Sequence, residues 1–148
     1  MPNKFRRHKK RFRLPRDFIL PVKQSKLIEE TDKLTRHSFP LSDNERITYV
    51  YSRNKRNKIT EIISVIYDLF IQGEWVTVIY YDSAHGSLHR HETISFEDRR
   101  DITTEENVKK KGTRERWLTW AIKDIQKRSS YYKKLFLKRS NTRIDKLN

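Results

Sequence analysis

Three of the five histidines fall within seven residues of one another, in the run Tyr80-Tyr81-Asp82-Ser83-Ala84-His85-Gly86-Ser87-Leu88-His89-Arg90-His91. Histidine is the side chain that changes charge near neutral pH, and it is the commonest metal ligand. An aspartate and an arginine accompany it here, around a turn that contains glycine. If Leu88 onward is a strand, His89 and His91 share one face, because side chains repeat every second residue, and Arg90 points to the other. An antiparallel hairpin brings Asp82 close to Leu88 and His89. His85 then sits on the turn above the same edge.

Three chemistries are compatible with this spacing. Two histidines could act as acid and base on an RNA phosphodiester: one takes the 2′-OH proton and another protonates the leaving oxygen. Arg90 or a lysine would then steady the phosphate. His85, His89 and His91 could instead supply three ligands of a zinc site with an open position. In the plainest reading, Asp82 and Gly86 shape a tight turn and the histidines form a polar, half-buried face. The catalytic candidates are therefore His85, His89, His91, Asp82 and Arg90, and the first three are also the weak metal candidates. The sequence contains no phosphate-binding glycine loop, HExxH, GxSxG or dinucleotide fingerprint, and no cofactor is expected.

The elements that must hold these residues are read from periodicity. Residues 47–51 (Ile-Thr-Tyr-Val-Tyr) are β-branched and aromatic, 59–71 are rich in Ile, Val, Tyr and Phe, with a helix there outweighed by seven β-branched residues, 75–82 alternate, and 88–96 form a fourth run, with short polar turns between them. They predict a four-stranded antiparallel meander. A helix is predicted over 25–36, with Ser25 as N-cap and Leu27, Thr31 and Leu34 on one face, ended at Pro40. The Thr103–Glu106 spacing matches a capping box and predicts a helical turn there. Thr113 is expected to cap a long helix reaching about residue 138, with a stripe of Leu118, Ala121, Ile122, Ile125, Ser129, Tyr132 and Phe136 facing the sheet. Trp75, Trp117 and Trp120 are expected to pack in the core, with one of the last pair partly exposed. Strands followed by a segregated helix define an α+β fold.

Charge supplies a second functional signal. The chain of 148 residues carries a net +15, distributed as +9 over residues 1–26, −5 over 27–108 and +11 over 109–148. A field of this size attracts polyanions. Residues 1–24 read as a flexible basic arm in which Arg6, Arg7, Lys9, Lys10, Arg11 and Arg13 alternate with phenylalanines, a pattern suited to phosphates and stacked bases. Lys109, Lys110 and Lys111 form a second basic cluster, and Lys123, Lys127, Lys134 and Lys138 lie on another side of the long helix, with Arg116 nearby. Residues 25–138 are expected to form a single domain, and 139–148 a frayed tail. With no cysteine there is no disulfide, thiolate nucleophile or Cys-based zinc site. No apolar run approaches the length of a membrane span, and residue 1 onward lacks the apolar core of a secretory signal. A cytoplasmic protein is expected.

The stretch from Trp75 to His91 resembles a group of small uncharacterised prokaryotic domains with a W…V..YD(T/S)AHG..HRH core followed by a C-terminal helix. The matching residues are Trp75, Tyr81, Asp82, Ser83, Ala84, His85, Gly86, His89, Arg90 and His91. The group is more distantly similar to TumE-type toxins of toxin–antitoxin pairs, and the likeness spans roughly residues 47–138. This chain departs from it in its long basic N-terminal segment. The resemblance implies action on RNA and an antitoxin-like protein partner. The expected function is thus a small basic nucleic-acid-binding protein of toxin–antitoxin type, with RNA favoured. The alternatives are a toxin-like ribonuclease using the histidine cluster, or an accessory protein of an RNA–protein assembly.

Overall fold

The computed structural model describes residues 32–109 and 111–140. Six strands run in chain order across one antiparallel sheet: β1 (Lys33–Ser42), β2 (Glu45–Arg53), β3 (Ile59–Ile71), β4 (Glu74–Asp82), β5 (Leu88–Thr93) and β6 (Asp101–Lys109). One helix, α1 (Arg114–Arg139), follows them. The α+β meander with a long C-terminal helix is as the sequence predicts, but six strands replace the expected four.

Both added strands lie at the sheet edges, where the sequence points to helix. Leu34 and Arg36 pair with Ser52 and Val50 across β1 and β2, so the described end of the predicted 25–36 helix is extended instead. Phe39, and then Leu41 on the same side, pack against the core, an alternation of period two that three helically spaced residues had masked. Pro40 is tolerated because β1 is an edge strand, where a missing N–H costs no ladder bond. The capping-box segment is likewise extended: Thr103 pairs with His91 and Glu105 with Arg90. The free edge of β5 supplies partners that an isolated turn of helix lacks. In the other direction, β5 ends early, at Thr93. Ser95 and Asp98 close a turn there, with Ser95 N–H donating to the Asp98 carbonyl and Asp98 N–H to Ser95 Oγ. The hairpin between β3 and β4 turns on Gln72 and Gly73, both at positive φ (50° and 81°), the mirror-image turn whose twist matches the strands.

Helix α1 begins where expected, with Thr113 Oγ1 accepting from the Arg116 N–H at 3.3 Å. Leu118, Ala121, Ile125, Tyr132 and Phe136 are buried, and they meet Val65, Tyr67, Ile79 and Tyr81 of the sheet in one apolar cluster. Ile122 is only half-buried, at the margin of that contact. Trp117 is buried and Trp120 half-buried, but Trp75 is 38% exposed and does not join the core. It lies against Phe70 and under the Arg46 guanidinium, whose carbon is 4.2 Å from the ring centre. Among the described residues no helix is long and apolar enough to cross a membrane.

Candidate functional site

Strand pairing puts the histidine cluster on the sheet face away from the helix. Asp82 stands opposite His89, and Tyr80 opposite His91. Tyr81 and Arg90 are the pair between them, and alternation sends them to the helix side. Asp82 is the hub of the cluster. Its Oδ1 accepts from the Ala84 N–H at 3.1 Å, which shapes the turn. Its Oδ2 lies 3.0 Å from His91 Nε2, and Oδ1 lies 4.0 Å from His89 Nδ1.

His91 is an anchored side chain. It is 4% exposed, stacks on the Tyr80 ring at 4.5 Å, and meets Thr103 Oγ1 at 3.0 Å through Nδ1. Asp101 Oδ2, which accepts from the Tyr80 hydroxyl at 2.6 Å, is 3.7 Å from the same nitrogen. Nε2 is buried without an aligned hydrogen bond, although Asp82 Oδ2 lies 3.0 Å from it. Two carboxylates thus hold one imidazole inside the protein.

His89 and His85 are placed differently. His89 Nδ1 is 2.9 Å from the Ser87 carbonyl, which can only accept, so Nδ1 carries a proton. In the neutral ring, Nε2 is then a lone pair ready to take one. The exposed His85 ring stands edge-on to it at 5.6 Å. The pair nearest solvent is therefore His85 and His89, with His91 behind them as support. Of the five catalytic candidates, Arg90 is separated from the others by the sheet and cannot steady a phosphate beside them. As for metal, among the described residues no group of three His, Cys, Asp or Glu side chains is arranged to hold an ion, so His85, His89 and His91 do not converge as ligands.

Arg90 belongs to a buried polar cluster under α1. Its Nη1 reaches the Tyr132 hydroxyl at 3.3 Å and the Glu105 carboxylate at 3.3 Å. Tyr132 donates to Asp124 Oδ2 at 2.5 Å, and Tyr81 donates to the same oxygen. Burial first, and then the hydrogen bond to Asp124, push the Tyr132 hydroxyl up to about 12 and raise that of Tyr81 further. These groups lock the helix onto the sheet.

The opposite side of α1 is basic. At 100° per residue, Arg116, Lys123, Lys127, Lys134 and Lys138 fall within about 60° of arc, centred on the pole away from the buried stripe. All five are exposed. Glu115 is the helix's other described acid besides Asp124, and it is committed: its Oε1 accepts the Ile59 N–H at 2.9 Å, which lowers its pKa. Lys109 brings its ammonium to 5.1 Å from the centre of the Trp120 ring, and Lys111 is exposed just before the helix. Arg6, Arg7, Lys9, Lys10, Arg11, Arg13 and Lys110 lie outside the described residues. Tyr131, 52% exposed beside this stripe, was not among the sequence candidates; its helical angle next to Lys127 and Lys134 was the available signal.

The match to a family model over residues 29–142 places the chain in the DUF7718 family, a domain of unknown function. No curated protein and no solved structure matches the chain.

Proposed function

We propose that this chain is a small basic nucleic-acid-binding protein, with RNA as the favoured polyanion. The observation that supports this best is the row of five solvent-facing cations on α1, which lies within the basic segment 109–148 and is joined by a second basic segment at residues 1–26. Packing does not require those cations, since the helix is held by its opposite face. Neutralising phosphates releases counterions, so affinity should fall steeply with salt. Titrating the 148-residue chain against labelled RNA at two ionic strengths tests this. Charge reversal at Lys127 and Lys134 should weaken binding at least tenfold without changing the melting temperature. Weak binding at low salt would remove the reading. The toxin-like resemblance adds an antitoxin-like partner to the proposal, to be sought by co-purification.

A second reading, a toxin-like ribonuclease, draws on the His89 geometry. His89 Nε2 would take the 2′-OH proton as O2′ attacks phosphorus. The P–O5′ bond would break, and the leaving oxygen would take a proton from the His85 imidazolium. Asp82 and His91 would position this pair rather than react.

A further inference from the structure

The basic stripe on α1 has an aromatic edge. Trp120 and Tyr131 fall at about 40° and 60° from Arg116 around the helix, on the same side of the row of cations. Eleven residues separate them, about 16 Å along the axis. Tyr131 is 52% exposed, and Arg128 lies 5.3 Å from its ring centre. Trp120 is half-buried beside a groove lined by Glu115, Arg116, Thr119 and Lys123, with the Lys109 ammonium over its ring.

We infer that this face binds single-stranded RNA, with the cations tracking the phosphates and the Tyr131 ring stacking on an unpaired base. The inference rests on the nucleic-acid reading above and adds the form of the ligand. A duplex offers phosphates to the lysines but keeps its base faces stacked inside. A single strand offers both, and base-on-aromatic stacking contributes to affinity irrespective of sequence. RNA loops and ends are where unstacked bases are presented. The stripe from Arg116 to Lys138 runs about 33 Å, long enough for several nucleotides.

The test uses the full chain with a fluorescent single-stranded RNA of about a dozen nucleotides, and with the duplex formed from it and its complement. Binding is read by anisotropy at low salt. The expected result is tighter binding of the single strand. Tyr131→Ala should lose roughly tenfold or more in affinity for it, Tyr131→Phe should keep wild-type affinity, and neither should change affinity for the duplex. Thermal melting confirms that both variants fold, as the exposure of Tyr131 leads one to expect. Equal affinity for both forms, or an unchanged Tyr131→Ala, overturns the single-strand inference while the nucleic-acid reading stands. Binding to phosphatidylserine vesicles with none to either RNA overturns both.

Discussion

Asp82 and His91, on neighbouring strands, approach to 3.0 Å between Oδ2 and Nε2, and both are almost wholly closed off from solvent. The pair is offset: Asp82 stands opposite His89 in the ladder, and His91 opposite Tyr80. The contact is thus a diagonal one across the sheet, reinforced by the Ala84 N–H on Asp82 and Thr103 on His91. It ties the glycine turn to β5 and so sets where His85 and His89 stand.

Removing one member of this pair should be costly, because the partner stays buried without its counter-group. His91→Ala and Asp82→Ala are each expected to destabilise the fold by about 1–3 kcal/mol. Denaturant titration measures this. A loss under 1 kcal/mol in both would show that the contact carries little.

The ribonuclease reading separates residues by sheet face. His89→Ala should reduce RNA cleavage about 10²–10⁴-fold with folding near wild type. Arg90→Ala should act through stability alone, since Arg90 sits under α1 against Tyr132. Cleavage assays in parallel with melting curves distinguish the two. Full activity in folded His89→Ala would remove His89 as the base.

Helix docking is graded along its own face. Ile125 is fully buried, so Ile125→Asp should cost more than about 4 kcal/mol. Ile122 is half-buried at the margin, and its aspartate variant should cost clearly less. Equal melting temperatures for the two variants would contradict the packing described.

The buried tyrosines make alkaline stability informative. Folding raises the Tyr132 hydroxyl from its ordinary 10 to about 12, so the native state holds this proton more tightly than the unfolded chain does. The stabilisation is present in full below pH 10 and is lost as pH rises toward 12. Stability followed by denaturant midpoint should therefore decline over that window, and less steeply in Tyr132→Phe. Phenolate absorbance should show buried tyrosines ionising after the exposed ones. An identical decline in the variant would rule out Tyr132 as a contributor.

The central strands and the helix were legible because their patterns are local. The run 59–71 is β-branched, Thr113 is a capping residue, and the buried stripe of α1 repeats every three and four residues. The placement of His89 beside Asp82 was equally legible, since alternation and a short turn leave little choice of register. Edge strands were not. Residues 33–42 and 101–109 are largely polar in sequence, and their extended form depends on backbone ladder bonds to β2 and β5, which are indifferent to side-chain type.

Which face of the sheet α1 covers was likewise a matter for the tertiary structure. The sequence by itself determined that Arg90 and the histidines point opposite ways, because the period of a strand is two. It also determined that α1 has one apolar and one basic side, because the period of a helix is 3.6. Only packing decided that the helix lies on the Arg90 face. The reason is the side chains that meet there: Tyr81, Ile79, Val65 and Tyr67 present a buried apolar surface, with hydroxyls that Asp124 can satisfy, whereas the other face around Asp82 and His91 is polar. That choice made His91 a buried support, left His85 and His89 nearer solvent, and turned the lysines of α1 outward.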